Sequence, residues 1–224
     1  MELSAIILSR VLGFVETFDL TPRGTVFFPD LIAGLVEAFR FHKFPQTMEE
    51  MDESKGVVFT EGTWNGVSVF QLTIYNNAIL LDTRAGTDES KKILLEGLQW
   101  AADKFGLNYK NGMIRRWRYV SDLTVTTEVP LLVTNPALSN LGDAVGKHVS
   151  EILGEPLVFS PIRSTVDFER HLRPLAMAAF DIQRRADTPF SENKYFSEAP
   201  LPTDVHFELL QRYEADLVAA AGGR

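Results

Sequence analysis

The chain has 224 residues, of which 45% are hydrophobic and 23% charged, close to the averages of soluble globular proteins, which excludes disordered, fibrous and membrane-embedded classes. It contains no cysteine, which excludes a disulfide framework, a thiolate metal site and a cysteine nucleophile and fits a cytoplasmic setting. Lys plus Arg number 22 and Asp plus Glu 30, a net charge of −8, so nucleic acid and anionic lipid gain no bulk attraction and are not expected as partners.

The opening Met1–Arg10 carries an acid at Glu2 and breaks at Ser9-Arg10 before a long apolar run forms, so it does not read as a leader. No segment reaches the roughly 18 apolar residues that span a bilayer, and no membrane partner is expected. Leu12, Phe14, Phe18 and Leu20 alternate, with Glu16 the odd member of their row, and read as a first strand closed by Thr21-Pro22-Arg23-Gly24. Pro29-Asp30 opens a helix whose stripe is Leu31, Ile32, Leu35, Val36 and Phe39. Three short strands follow at 57–60, 67–75 and 78–81. Asn65-Gly66 and Asn76-Asn77 stand between them, where hairpins take residues tolerant of positive φ. Thr87 reads as the cap of a second helix, with Asp88 and Glu89 in its first turn, Leu94, Leu98, Ala101 and Phe105 on its buried side, and Gly106 at its end.

From about residue 108 the order starts again. Trp117, Tyr119, Leu123 and Val125 form a strand, and Asn135-Pro136 introduces a helix carrying Leu138, Leu141, Val145 and Ile152. Strands are expected at 157–160, near 165–168 and through 176–182, and a last helix from about Asp204 carries Leu209, Leu210, Tyr213 and Leu217. The fold class is therefore α+β, antiparallel sheets with packed helices, read as two degenerate βαβββα repeats, 1–107 and 108–224, about a pseudo-two-fold, or as one integrated domain. Three blocks match at a separation of about 100 residues: Phe14–Leu20 with Tyr119–Val125, Val57–Thr60 with Leu157–Ser160, and Arg84–Thr87 with Arg185–Thr188. Residues 187–202 read as a loop insertion in the second repeat, polar and proline-punctuated yet holding Phe190, Tyr195, Phe196 and Leu201. Its aromatics either tack the loop to the body or make a lid.

No catalytic constellation stands out. Asp30 with Glu53-Ser54-Lys55 imitates a metal-dependent nuclease pattern, but the acids fall on a helix start and a solvated connector. His42, His148, His171 and His206 lack ligand-pair or triad spacing, so no metal and no cofactor is expected. His206 is the most interesting of the four, near Asp204 in the first turns of the last helix. A half-exposed structural histidine is the plainer reading. Lys110, Arg115, Arg116 and Arg118 beside Tyr109, Trp117 and Tyr119 resemble a phosphate-and-base surface, but on a strand the arginines face away from the aromatics. Arg84 and Arg185 stand in matched settings, and with Arg184 could clamp an anion; the alternative is pairing with local acids such as Asp82 and Asp181, with Glu16 neutralising one of them. The leading functional expectation is a non-catalytic cytoplasmic binding or assembly module with a protein partner or self-association. Its rival is an enzyme or sensor for a small anionic ligand held by Arg84, Arg184, Arg185 and His206.

Overall fold

The computed structural model describes residues 1–22, 26–169 and 177–222. The turn expected at Thr21–Gly24 lies partly outside these residues, and His171 and Ala176 lie outside them. The elements in chain order are β1 (Glu2–Phe14), α1 (Thr17–Leu20), α2 (Phe28–Phe39), β2 (Val57–Trp64), β3 (Val67–Tyr75), β4 (Ala78–Thr83), α3 (Thr87–Phe105), β5 (Arg116–Thr126), α4 (Pro136–Leu153), β6 (Arg163–Val166), β7 (Phe180–Arg184), β8 (Lys194–Ala199) and α5 (Thr203–Gly222). The fold is α+β, with an antiparallel sheet ordered β2-β3-β4-β1-β5-β8-β7-β6. By contacts the chain divides into two compact units. The first is Ile6–Asp122 with Pro200–Asp204; the second is Met1–Ala5, Leu123–Ala199 and Val205 onward.

In the first unit, β1 turns Ser9, Val11 and Gly13 inward and leaves Arg10, Leu12 and Phe14 half-exposed. This parity is opposite to the one the sequence suggested. The strand starts at Glu2 and ends at Phe14; Thr17–Leu20 is a helical turn, on which Phe18 is 70% exposed, so the row Leu12–Leu20 never forms. Glu16 is exposed and outside any strand, and so has no apolar row to disturb. The Asn65-Gly66 hairpin takes φ of 48° and 85°, the paired left-handed conformations a twisted two-residue turn requires. Asn76 and Asn77 do not: neither has positive φ. Their carbonyls accept from Thr17 N (2.8 Å) and Val15 N (3.2 Å), so this turn is fixed by the chain that follows β1. Gly86, not Thr87, caps α3; Thr87 is its first residue and is buried. The buried stripes of α2 and α3 join the inward residues of β1 to β4 in one core, with Tyr109 and Ile114. Phe39 is buried in it, stacked on Phe41 (5.3 Å) and tilted against Trp64 (4.3 Å), where Gly97 gives it room: a Cβ there would lie 3.0 Å from the Phe39 ring.

In the second unit, Leu123, Val125, Ile182, Tyr195, Ala199 and Leu210 are buried. Tyr195 Oη accepts from Leu131 N (3.0 Å) and Tyr213 Oη donates to Leu131 O (3.0 Å), so two tyrosines pin the segment that follows β5. Residues 187–202 are not a loop insertion. They contain a short 3-10 turn, Phe190–Glu192, and then β8, which lies between β5 and β7 with Tyr195, Ser197 and Ala199 fully enclosed. Its polar and charged residues hid an inward row of every second residue. Residues 157–160 are in no strand; they run along α4, where a Cβ on Gly142 or Gly146 would come within 2.8 Å of Phe159 O or 2.9 Å of Leu157 O. The three matched blocks accordingly land on unlike elements. Phe14–Leu20 leaves a strand for a helix while Tyr119–Val125 stays in β5, and Arg84–Thr87 leads into α3 while Arg185–Thr188 joins β7 to β8.

Candidate functional site

The residues singled out from the sequence fall in separate settings. Arg84 follows β4 with its guanidinium 4.9 Å from the Phe70 ring centre. Asp82, considered as its partner, is buried and held by Arg10 through two bonds, Nε to Oδ1 at 2.8 Å and Nη2 to Oδ2 at 2.7 Å. Arg116 and Arg118 stack on Phe14, at 4.1 and 5.3 Å, and Lys91 lies over Trp117 at 5.0 Å, so the basic strand is engaged with aromatic faces on both sides.

Arg184 and Arg185, at the end of β7, do come together. With Arg163, Gln183, Asp187, Ile162 and Phe196 they line a cleft of about 680 Å³ in the second unit. Arg185 makes a two-bond pair with Asp187 (both 3.0 Å), which holds that carboxyl below its ordinary range. Arg163 Nε donates to Asp181 Oδ1 at 2.7 Å, and Thr165 Oγ1 donates to the same oxygen at 2.7 Å. Arg184 lies over Phe190 (4.7 Å) and Tyr195 (5.4 Å), and its Nη1 donates to Phe190 O at 2.9 Å. Its Nε is buried with no hydrogen-bond partner among the described residues. Arg163 was not found from sequence, because its place follows from the β6–β7 register, Arg163 opposite Gln183.

His206 is fully buried, not half-exposed, in the first turn of α5. Its Nε2 is 2.8 Å from Ser197 Oγ, and its ring meets Phe180 edge-on at 5.1 Å. Ser197 Oγ donates to Asp181 O at 2.6 Å. A hydroxyl has one hydrogen, so Ser197 accepts from His206, and Nε2 carries the proton. Among the described residues no group of three or more His, Asp or Glu side chains is placed to hold a metal ion, and no helix is long and apolar enough to cross a membrane.

The least expected feature is α4. Asn135 caps it, its Oδ1 accepting from Ala137 N at 3.0 Å, and Gly154 ends it at φ 74°. The stripe Leu138, Leu141, Val145 and Ile152 has the periodicity of a packed helix, yet Leu141 is 58% and Ile152 79% exposed. Leu153, Val158, Phe159, Ile162 and Val166 extend the exposed apolar surface along the segment that leads into β6. β6 ends the sheet order, and all four of its residues are exposed. The opposite edge, β2, is covered by an antiparallel bridge from Lys43 to Thr60, with bonds of 3.3 and 2.9 Å. No family model, no curated protein and no solved structure matches the chain.

Proposed function

We propose that the protein is a non-catalytic cytoplasmic assembly module that pairs with a second copy of itself through the α4 face and the β6 edge of its second unit. The observation that carries this reading is the uncovered apolar surface of α4 and residues 157–166. Its nine large apolar side chains leave open the equivalent of about five whole ones, worth roughly 8–15 kcal/mol when covered. At about 25 cal/mol per Å² that is roughly 300–600 Å² of apolar surface, which brackets the apolar portion of a standard interface of about 800 Å² per partner. An open edge strand beside it adds unpaired main-chain donors and acceptors. A strand edge pairs antiparallel with its own copy across a two-fold axis, the usual symmetry of soluble homodimers.

The test is solution mass by light scattering over a concentration series, for wild type and for Leu141→Asp and Thr165→Pro. The wild type is expected to be a dimer, and both variants monomers with their secondary structure retained. A wild type that stays monomeric up to hundreds of micromolar overturns the reading.

A second reading rests on its own observation, the three arginines Arg163, Arg184 and Arg185 on one cleft: a small anion bound there, as guanidinium groups bind carboxylate or phosphate. Titration with inorganic phosphate, with Arg184→Met beside the wild type, tests it.

A further inference from the structure

The core of the first unit is not filled. α2, α3 and the inward face of β3 and β4 enclose a cavity of about 60 Å³, walled chiefly by Leu31, Leu35, Leu72, Leu81, Leu94 and Leu98. Well-packed interiors leave few voids larger than a water molecule. This one offers water no free side-chain donor. Its polar lining comes from two threonines, and both hydroxyl hydrogens go to the main chain: Thr17 Oγ1 donates to Tyr75 O at 2.6 Å and Thr21 Oγ1 to Thr17 O at 3.1 Å. A site needs two or more free polar partners to hold a water, and a dry cavity of leucines takes an apolar guest. The wall residues that reach solvent are Thr21, Phe28 and Leu107, which mark the entrance.

We infer that this cavity binds the terminal few carbons of an unbranched alkyl chain, entering between Thr21, Phe28 and Leu107, with any polar head left in solvent. The volume admits a chain end but not a ring, since about 150 Å³ is needed for benzene. No charged side chain lines the wall, so the site selects for the chain and is indifferent to the head group. The inference is independent of self-association, which concerns the other unit.

The experiment titrates the intact protein with n-butanol, n-hexanol and n-octanol, reading the melting temperature and the methyl resonances of Leu35 and Leu98. Stabilisation that grows with chain length and methyl shifts confined to the cavity wall are expected. Ala101→Leu, whose larger side chain occupies the space, should lose both responses while melting at or above the wild-type temperature. Because Ala101→Leu could overpack, Leu98→Phe is the second filling variant. Equal responses in wild type and a folded filled variant, or methyl shifts spread over the whole chain, overturn the inference, and so does a wild type that no alcohol stabilises.

Discussion

Replacing His206 by alanine separates a structural role for this side chain from a ligand-binding one. The ring is fully enclosed, edge-on to Phe180 and bonded to Ser197, which is itself committed to Asp181 O. His206→Ala removes a buried ring and takes from Ser197 Oγ the Nε2–H donor, so the loss combines a cavity with a weakened polar contact. It comes to about 3 kcal/mol. For a chain of this size each kcal/mol lowers the melting temperature by about 2–4 °C, giving a fall of roughly 6–12 °C. Ser197→Ala leaves the His206 N–H without its Ser197 acceptor and is expected to cost about 2 kcal/mol. The two residues touch, so the double variant should show a coupling of about 1 kcal/mol. The assay is urea unfolding of the four proteins followed by circular dichroism. A His206→Ala loss below about 1 kcal/mol, or additive effects with no coupling, refutes the structural role.

Arg10→Ala leaves the buried Asp82 carboxylate without its two-bond partner and should cost about 3 kcal/mol by denaturant unfolding, whereas Arg185→Lys, whose pair with Asp187 is at the surface, should change stability by less than about 1 kcal/mol. Burial, with the neighbouring Asp52 charge, raises the Glu53 carboxyl above its ordinary value. The folded chain therefore binds that proton more tightly than the unfolded chain, and stability falls as pH rises through the carboxylate range; Glu53→Gln should be the more stable protein at pH 7, with the gain vanishing below the unfolded carboxyl pKa. Deleting residues 190–198 removes β8 from between β5 and β7, and the product should show no cooperative transition in calorimetry.

The elements with a buried periodic face and correct punctuation were legible in the sequence. α2 shows its stripe and Pro29, α3 its stripe and Gly106, and the β2–β3 hairpin its Asn65-Gly66. What failed shares one cause: local pattern does not say which neighbour is present. The α4 stripe has the same form as that of α2, yet one is covered by a sheet and the other is open. β8 alternates Tyr195, Ser197 and Ala199 inward, but Ser and Ala carry little apolar signal, so a central strand looks like a loop. The arginine cleft was half legible. Arg184 and Arg185 are adjacent in sequence, while Arg163 joins them only through strand register.

The block matches misled for a related reason, since similar short runs stand on unlike elements; what the sequence also hid is a contact between two helix starts. From β1 to α3 the order is strand, two helices, three strands and helix; from β5 to α5 it is strand, helix, three strands and helix. Thr87 and Thr203, 116 residues apart, open α3 and α5. Each threonine is the first residue of its helix, where the backbone N–H has no partner within the helix. Each supplies the other's. Thr87 N donates to Thr203 Oγ1 at 3.0 Å and Thr203 N to Thr87 Oγ1 at 2.9 Å, with all four groups buried. Thr87→Val, close in shape, should leave the Thr203 N–H orphaned and cost about 1–3 kcal/mol. Thr203 Oγ1 also meets Ser9 Oγ at 3.2 Å, so Thr203→Val should cost about 1 kcal/mol more, and Thr→Ser at either position should restore most of the loss. A Thr87→Val protein as stable as wild type in urea would show that these helix starts do not depend on each other.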